Sequence, residues 1–270
     1  SEIRVASDDL AIRNEQQAAS LEETAAAMNQ VTGIVNITTK GTSDVQRTID
    51  EAHRQAREGG EVVIHAVDAM AAIGLFGMKI PQEYGGLGFS ITNYARVLGM
   101  IGSYCSNTVT YLSAHQSIGV PQPLREFGTE EQKRKYLPRL AQGEISAFAL
   151  TEPDVGSDPA RMSTVATPTE DGKAFILNGD KQWCTNVTDP KTSLIAVLAR
   201  TPDKVLPNGK KVPQISCFVV ETAWPGVERV RRSTFMGLRG IANGSVTFKD
   251  VMVPAGNLIG LHPLGTCRGT

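Results

Sequence analysis

Two short runs hold the residues of this 270-residue chain best suited to chemistry: Phe148-Ala-Leu-Thr-Glu-Pro-Asp-Val-Gly-Ser-Asp158 and Lys181-Gln-Trp-Cys-Thr-Asn186. Trp183 offers a broad apolar face, and Thr151 and Thr185 offer hydroxyl donors. A planar, heteroatom-rich ring needs such a wall and such donors. Gly156 lets the backbone approach a pyrophosphate closely, and Ser157 adds a further hydroxyl. Each signal is weak alone, because a Gly-Ser-Asp is ordinarily a turn and a single Trp is ordinarily core. The acids nearest the two runs are Glu152 and Asp158. The four cysteines, Cys105, Cys184, Cys217 and Cys267, show no metal-ligand spacing and read as small buried thiols of a reduced compartment. No metal site is expected.

The elements that must position these runs follow from periodicity. Ile145–Leu150, Ser163–Thr167, Ala174–Leu177, Ser193–Ala199, Gln214–Val220 and Ser245–Phe248 are short strand candidates rich in Val, Ile, Phe and Thr. Asp171-Gly172 and Asn208-Gly209 lie between such runs as hairpin turns. Ahead of them, Pro81 and Gly85-Gly86 break any helix and make a tight loop after a short apolar element. Ile91 to Ser103 and Val109 to Gly119 have helical spacing. Thr129 and Gln132 form a capping box for a helix that passes through Tyr136 and Leu140 and ends near Gly143. His115 reads as a helix-packing histidine. The expected fold is α+β: a long N-terminal helical arm, a short helical subdomain, then an antiparallel β-barrel or sandwich.

Composition divides the chain near residue 70. Residues 1–70 contain no aromatic residue and no proline, while all 15 aromatics and all 14 prolines follow. Charge divides too, with 6 Lys/Arg against 12 Asp/Glu before the seam and 21 against 16 after it. A stretch without aromatics builds no conventional core alone. Leu21, Met28 and Val35 fall seven apart with Ala18, Ala25 and Thr32 interleaved, a heptad seam that leaves Gln16, Glu23 and Gln30 outermost. The expected divisions are a helical arm at 1–70, a helical subdomain at 71–144, a β domain at 145–260 and a tail at 261–270. The overall net charge of -1 gives no field for nucleic acid or an anionic membrane. No run of 18 apolar residues marks a membrane span, and no signal peptide is apparent, so the expected location is cytoplasmic.

The two runs, with Ile73-Gly-Leu-Phe-Gly-Met-Lys-Ile-Pro-Gln-Glu-Tyr-Gly-Gly-Leu-Gly88, Met236-Gly-Leu-Arg-Gly240 and Val253-Pro-Ala-Gly-Asn-Leu-Ile-Gly260, resemble the acyl-CoA dehydrogenase family over about residues 71–260. The resemblance implies FAD as cofactor and acyl-CoA thioesters as substrates. It implies flavin and pyrophosphate contacts from Phe148, Leu150, Thr151, Gly156 and Ser157. Trp183, Cys184 and Thr185 would cover the flavin near its reactive nitrogen, and Ser157 would also touch the acyl-CoA. Val187 departs from the small residue common at that position, a departure expected to bear on the turn over the flavin. Family members remove the substrate α-proton with a carboxylate that usually lies in a C-terminal helical domain. The resemblance does not reach that domain, so no catalytic residue is assigned and the expectation is weak FAD binding with little or no turnover. An electron-transferring flavoprotein is the partner the family implies.

A second resemblance concerns the arm. Glu15-Gln-Gln-Ala-Ala-Ser-Leu-Glu-Glu-Thr-Ala-Ala-Ala-Met-Asn-Gln30, continued by Arg57-Glu-Gly-Gly-Glu-Val-Val63, resembles the methylation helix of bacterial chemoreceptors over about residues 7–70. In that family, Glu and Gln at seven-residue spacing are methylated, and Gln16, Glu23 and Gln30 match those positions. The alternative function is then a non-catalytic interaction or scaffold protein, or a chimeric truncation, assembled as a homo-oligomer through the arm.

Overall fold

A computed structural model of the chain describes residues 67–260 and, before them, scattered residues between 22 and 47. The chain forms two compact units, Ser1–Ala56 and Arg57–Thr270. In the first unit the described residues, Met28 and Gln30 among them, are helical and exposed. Gln16, Glu23, Leu21, Val35, Cys267 and the tail at 261–270 lie outside the described residues. A continuous arm over 1–70 therefore lies largely outside them as well.

In the second unit, residues 67–72 are helical, and Val67 and Met70 are buried with Phe76, Met78, Tyr94, Tyr111 and Leu112. The compositional change near residue 70 thus falls inside a helical stretch already packed into the core. Four longer helices follow: α1 (Ile91–Tyr104), α2 (Ser106–Ser117), α3 (Pro121–Phe127) and α4 (Glu130–Ala141). Ser90 caps α1 by accepting from the Asn93 N–H. The capping box of α4 is complete. The Gln132 N–H donates to Thr129 Oγ1 at 3.2 Å, and the Thr129 N–H donates to Gln132 Oε1 at 3.0 Å.

Seven strands make one curled sheet: β1 (Ile145–Ala149), β2 (Val165–Pro168), β3 (Ala174–Cys184), β4 (Thr192–Val205), β5 (Lys211–Glu221), β6 (Val227–Arg232) and β7 (Gly244–Pro254). The order is β1-β4-β2-β3-β7-β6, with β5 on β4. The sheet is not wholly antiparallel as expected. β1 pairs with β4 in parallel, and β2 meets β4 in parallel at Val165 and Arg200. The cause is the connection: the chain between β1 and β4 is long enough for a crossover, which a parallel pair requires.

β4 is buried on both faces, which explains its unbroken apolar run. Ile195, Val197 and Ala199 face the interior of the curled sheet with Phe218, Phe248 and Val251. Leu194 and Ala196 face the helices, where Val120, Leu124, Tyr136, Leu137 and Leu140 cover them. Polar ties hold helices to sheet. Arg139 of α4 donates to Glu144 at 3.0 Å and to Glu221 of β5 at 3.2 Å. The Gln132 amide donates to the carbonyls of Gly256 at 2.8 Å and Leu258 at 2.7 Å. His115 of α2 is fully buried, and its Nδ1 accepts the Ser146 N–H of β1 at 3.1 Å.

Candidate flavin-facing site

The two chemically suited runs lie side by side. The first leaves β1 as a loop, and the second is the last turn of β3. The Gln182 N–H donates to the Thr151 carbonyl at 2.9 Å. Beneath that contact is a buried ion pair: Lys181 Nζ donates to Glu152 Oε1 at 2.8 Å and to the Leu150 carbonyl at 3.0 Å. The same Glu152 oxygen accepts the Thr164 N–H at 2.9 Å, while Oε2 accepts from the Ser163 N–H and hydroxyl. Burial alone pushes the Glu152 carboxyl up, but hydrogen bonds from Lys181, Thr164 and Ser163 outweigh it and hold the group down at about 2. Burial pulls the Lys181 ammonium down, against the opposing pull of Glu152. Gly179 lets β3 approach this network, since a Cβ there would sit 2.4 Å from Thr164 Oγ1.

Above the pair, Trp183 is 55% exposed, and it is held at a φ of 58°, in the left-handed region that costs a bulky residue free energy. Its ring lies tilted against Phe235, with centroids 5.9 Å apart. Thr185 is half-buried and joins Leu98 of α1 and Val109, Ser113, Ala114 and Ile118 along a groove of about 410 Å³. The turn that follows is fixed from several sides. Asn186 takes a φ of 70°, which Asn tolerates well, and its amide donates to the Tyr111 carbonyl at 3.1 Å. Thr192 Oγ1 donates to the Asn186 carbonyl at 2.6 Å. Val187 packs into the sheet core beside Cys184, so the turn accommodates it.

The expected site residues divide by where their side chains sit. Trp183 and Thr185 are tied together through Asn243, and Thr151 is joined to the second run through its backbone carbonyl on the Gln182 N–H. Gly156 and Ser157 sit in an exposed bend of the first run, and a Cβ on Gly156 would meet nothing within 4 Å, so that backbone is open to a ligand. The Cys184 side chain lies in the sheet core, where burial pushes its thiol up to about 12. Phe148 packs toward the helix-facing cluster. Leu150 is half-buried and contributes its carbonyl to Lys181. Sequence reasoning missed Phe235 and Asn243. The Asn243 amide donates to the Trp183 carbonyl at 3.0 Å and to Thr185 Oγ1 at 3.1 Å. A Phe in a loop and an Asn before a strand carry no local signature. Among the described residues there is no cluster of His, Cys, Asp and Glu able to hold a metal ion, and no helix long and apolar enough to cross a membrane.

Comparison with known proteins identifies the domains that carry this arrangement. Residues 42–144 match the acyl-CoA dehydrogenase N-terminal domain, and residues 147–251 match the acyl-CoA dehydrogenase middle domain. The chain belongs to the acyl-CoA dehydrogenase family. The first match begins at residue 42, inside the stretch expected to form the arm. The chain is 54% identical over 196 residues to the probable acyl-CoA dehydrogenase FadE10 of Mycobacterium tuberculosis, covering 72% of this chain and 29% of that protein. It superposes on an acyl-CoA dehydrogenase of Bacillus anthracis complexed with FAD with a TM-score of 0.67 and 31% identity, over 76% of this chain and 33% of the other. It likewise matches a structure described as the electron transferring flavoprotein of Acidaminococcus fermentans, with a TM-score of 0.65 and 33% identity, over 73% and 50% of the two chains. The chain therefore spans well under two thirds of the length of these relatives.

Proposed function

We propose that Arg57–Thr270 provides the flavin-facing and acyl-CoA-facing surface of a flavoprotein that dehydrogenates acyl-CoA thioesters between the α and β carbons. The observation that carries this reading is the pinned pair of runs, which leaves an exposed Trp183 face and the Thr185 hydroxyl beside an apolar groove. FAD, when bound, accepts the hydride of the family reaction. Trp183 would cover one edge of the ring, with Thr151 and Thr185 donating to its heteroatoms. The open backbone at Gly156 and the Ser157 hydroxyl would meet the pyrophosphate, with Ser157 also touching the acyl-CoA. The groove between α1 and α2 suits an apolar acyl tail, since Leu98, Val109, Ala114 and Ile118 line it. An electron-transferring flavoprotein is the partner that would take the electrons.

Glu152 is no base in this reading, because both its oxygens already accept hydrogen bonds and Lys181 neutralises it. The other acids of the first run, Asp154 and Asp158, lie exposed on the loop. A 270-residue polypeptide of this sequence, assayed alone, is accordingly proposed to bind FAD weakly and to turn over little. The test is reduction of an artificial electron acceptor by saturated acyl-CoAs of several chain lengths with FAD in excess. Turnover at the rate of a full-length relative would overturn the claim of low activity.

The helical, exposed residues between 22 and 47 support a second role for the stretch ahead of residue 42. It would act as an oligomerising, chemoreceptor-like helix, with Gln16, Glu23 and Gln30 as methylation positions. Light scattering of the full chain tests it, and a monomeric mass at all concentrations would remove it.

A further inference from the structure

The geometry points to Asn243 as a positioning residue that turns the Thr185 hydroxyl outward as a hydrogen-bond donor toward the flavin ring. This rests on the FAD reading above. The amide atom 3.0 Å from the Trp183 carbonyl must be the Asn243 NH₂, because a carbonyl only accepts. That same nitrogen lies 3.1 Å from Thr185 Oγ1, so the Thr185 oxygen is an acceptor on its inner side. A threonine hydroxyl has one proton, and among the described residues nothing accepts it. Thr185 lines the open groove, so the proton is left to point there.

The remainder of Asn243 is built to hold that amide in place. The residue is 4% exposed. Its backbone carbonyl accepts the Ser233 N–H at 2.8 Å. The next residue, Gly244, pairs with both Cys184 and Arg232. A Cβ at Gly244 would sit 2.2 Å from the Arg231 carbonyl, so only glycine lets the backbone beside Asn243 lie this close to β6. Among the described residues Asn243 Oδ1 is buried and accepts no hydrogen bond, so the side chain is held through its NH₂ group alone. Asn243 acts on the ring only through Thr185 and Trp183, whose carbonyl it grips at the strained φ.

The decisive experiment is a double-mutant cycle read by the visible absorption spectrum and affinity of FAD added to the full chain. Asn243→Asp keeps the shape but replaces the donor with an acceptor, which draws the Thr185 proton inward. It is expected to weaken FAD binding at least tenfold and to change the position of the bound-flavin band. Asn243→Ser, a smaller change, guards against misfolding of the first variant and is expected to act in the same direction. In a Thr185→Val background the loss of the bond to the Trp183 carbonyl remains, so both substitutions still weaken binding, but the fold-change is expected to be at least threefold smaller and the flavin band is expected not to move. An equal effect of Asn243→Asp with and without the Thr185 hydroxyl would show a general structural role and overturn the inference. Equal spectra for wild type and Asn243→Asp would overturn it as well. No flavin response from the wild-type chain would overturn this inference together with the FAD reading.

Discussion

Lys181 and Glu152 form an ion pair 2.8 Å long in which both side chains are almost wholly buried. The two residues come from the two separate runs that carry the chemical signal. Their contact is what turns two distant stretches of sequence into one surface. Such a pair adds little net stability relative to well-packed apolar residues, but removing one partner leaves an uncompensated buried charge.

Lys181→Met should therefore destabilise the chain by about 3–5 kcal/mol. The double replacement Lys181→Met with Glu152→Gln should recover a large part of that loss. Urea unfolding followed by circular dichroism measures both. A single variant as stable as wild type would show that the pair does not hold the two runs together.

Acid should destabilise the protein through two overlapping titrations. Burial pushes His115 down to about 3 from 6.5, so the unfolded chain takes up that proton first. Its stabilising contribution is complete above pH 6.5 and is lost as pH falls toward 3. Glu152 is held at about 2 from 4.5, so its contribution is complete above pH 4.5 and is lost as pH falls toward 2. Between pH 6.5 and 4.5 only His115 of these two contributes, with a slope of at most about 1.4 kcal/mol per pH unit. His115→Gln should flatten the stability curve in that window, whatever its cost at neutral pH. Melting temperatures across pH 4.5–7 check this, and an unchanged slope would contradict it.

Trp183 should trade stability for binding. Its φ of 58° suits glycine, and its side chain is largely exposed. Trp183→Gly should leave the melting temperature unchanged or higher, since relief of such strain is worth about 1 kcal/mol. The same change should weaken FAD binding at least tenfold. A clear drop in melting temperature would mean that the indole serves the fold.

Gln132 should matter more than a helix cap alone. Loss of its side chain removes the cap and two buried bonds to the Gly256 and Leu258 carbonyls. Gln132→Ala should cost about 2–3 kcal/mol, against about 1 kcal/mol for Thr129→Ala. Equal effects in thermal melts would reduce Gln132 to its capping role.

That contrast shows where sequence was legible. The Thr129–Gln132 box, the turns at Gly172 and Gly209, and the apolar cores of β1, β4 and β5 are local, and each could be read from neighbouring residues. Thr151, Trp183 and Thr185 could be read as candidates because their types suit one ligand. The parallel pairing of β1 with β4 was not, because register between distant strands leaves no local mark. β6 escaped because Val-Glu-Arg-Val-Arg-Arg is an exposed edge strand with no buried face to impose alternation. The carbonyls beneath Gln132, the amide of Asn243 beside Thr185 and the inward turn of Cys184 all depend on contacts between elements far apart in sequence. Glu152 could be read only as an acid of the first run without an assigned role, and the three-dimensional contacts show it committed to Lys181.

The central claim is that these residues form a flavin-facing surface. Titration of the full chain with FAD, followed by flavin fluorescence, tests it most directly. The account predicts saturable quenching by wild type and its loss in Trp183→Ala with the fold intact by circular dichroism. Fluorescence that stays at the free-FAD level with wild-type protein, or quenching that survives Trp183→Ala unchanged, would contradict it.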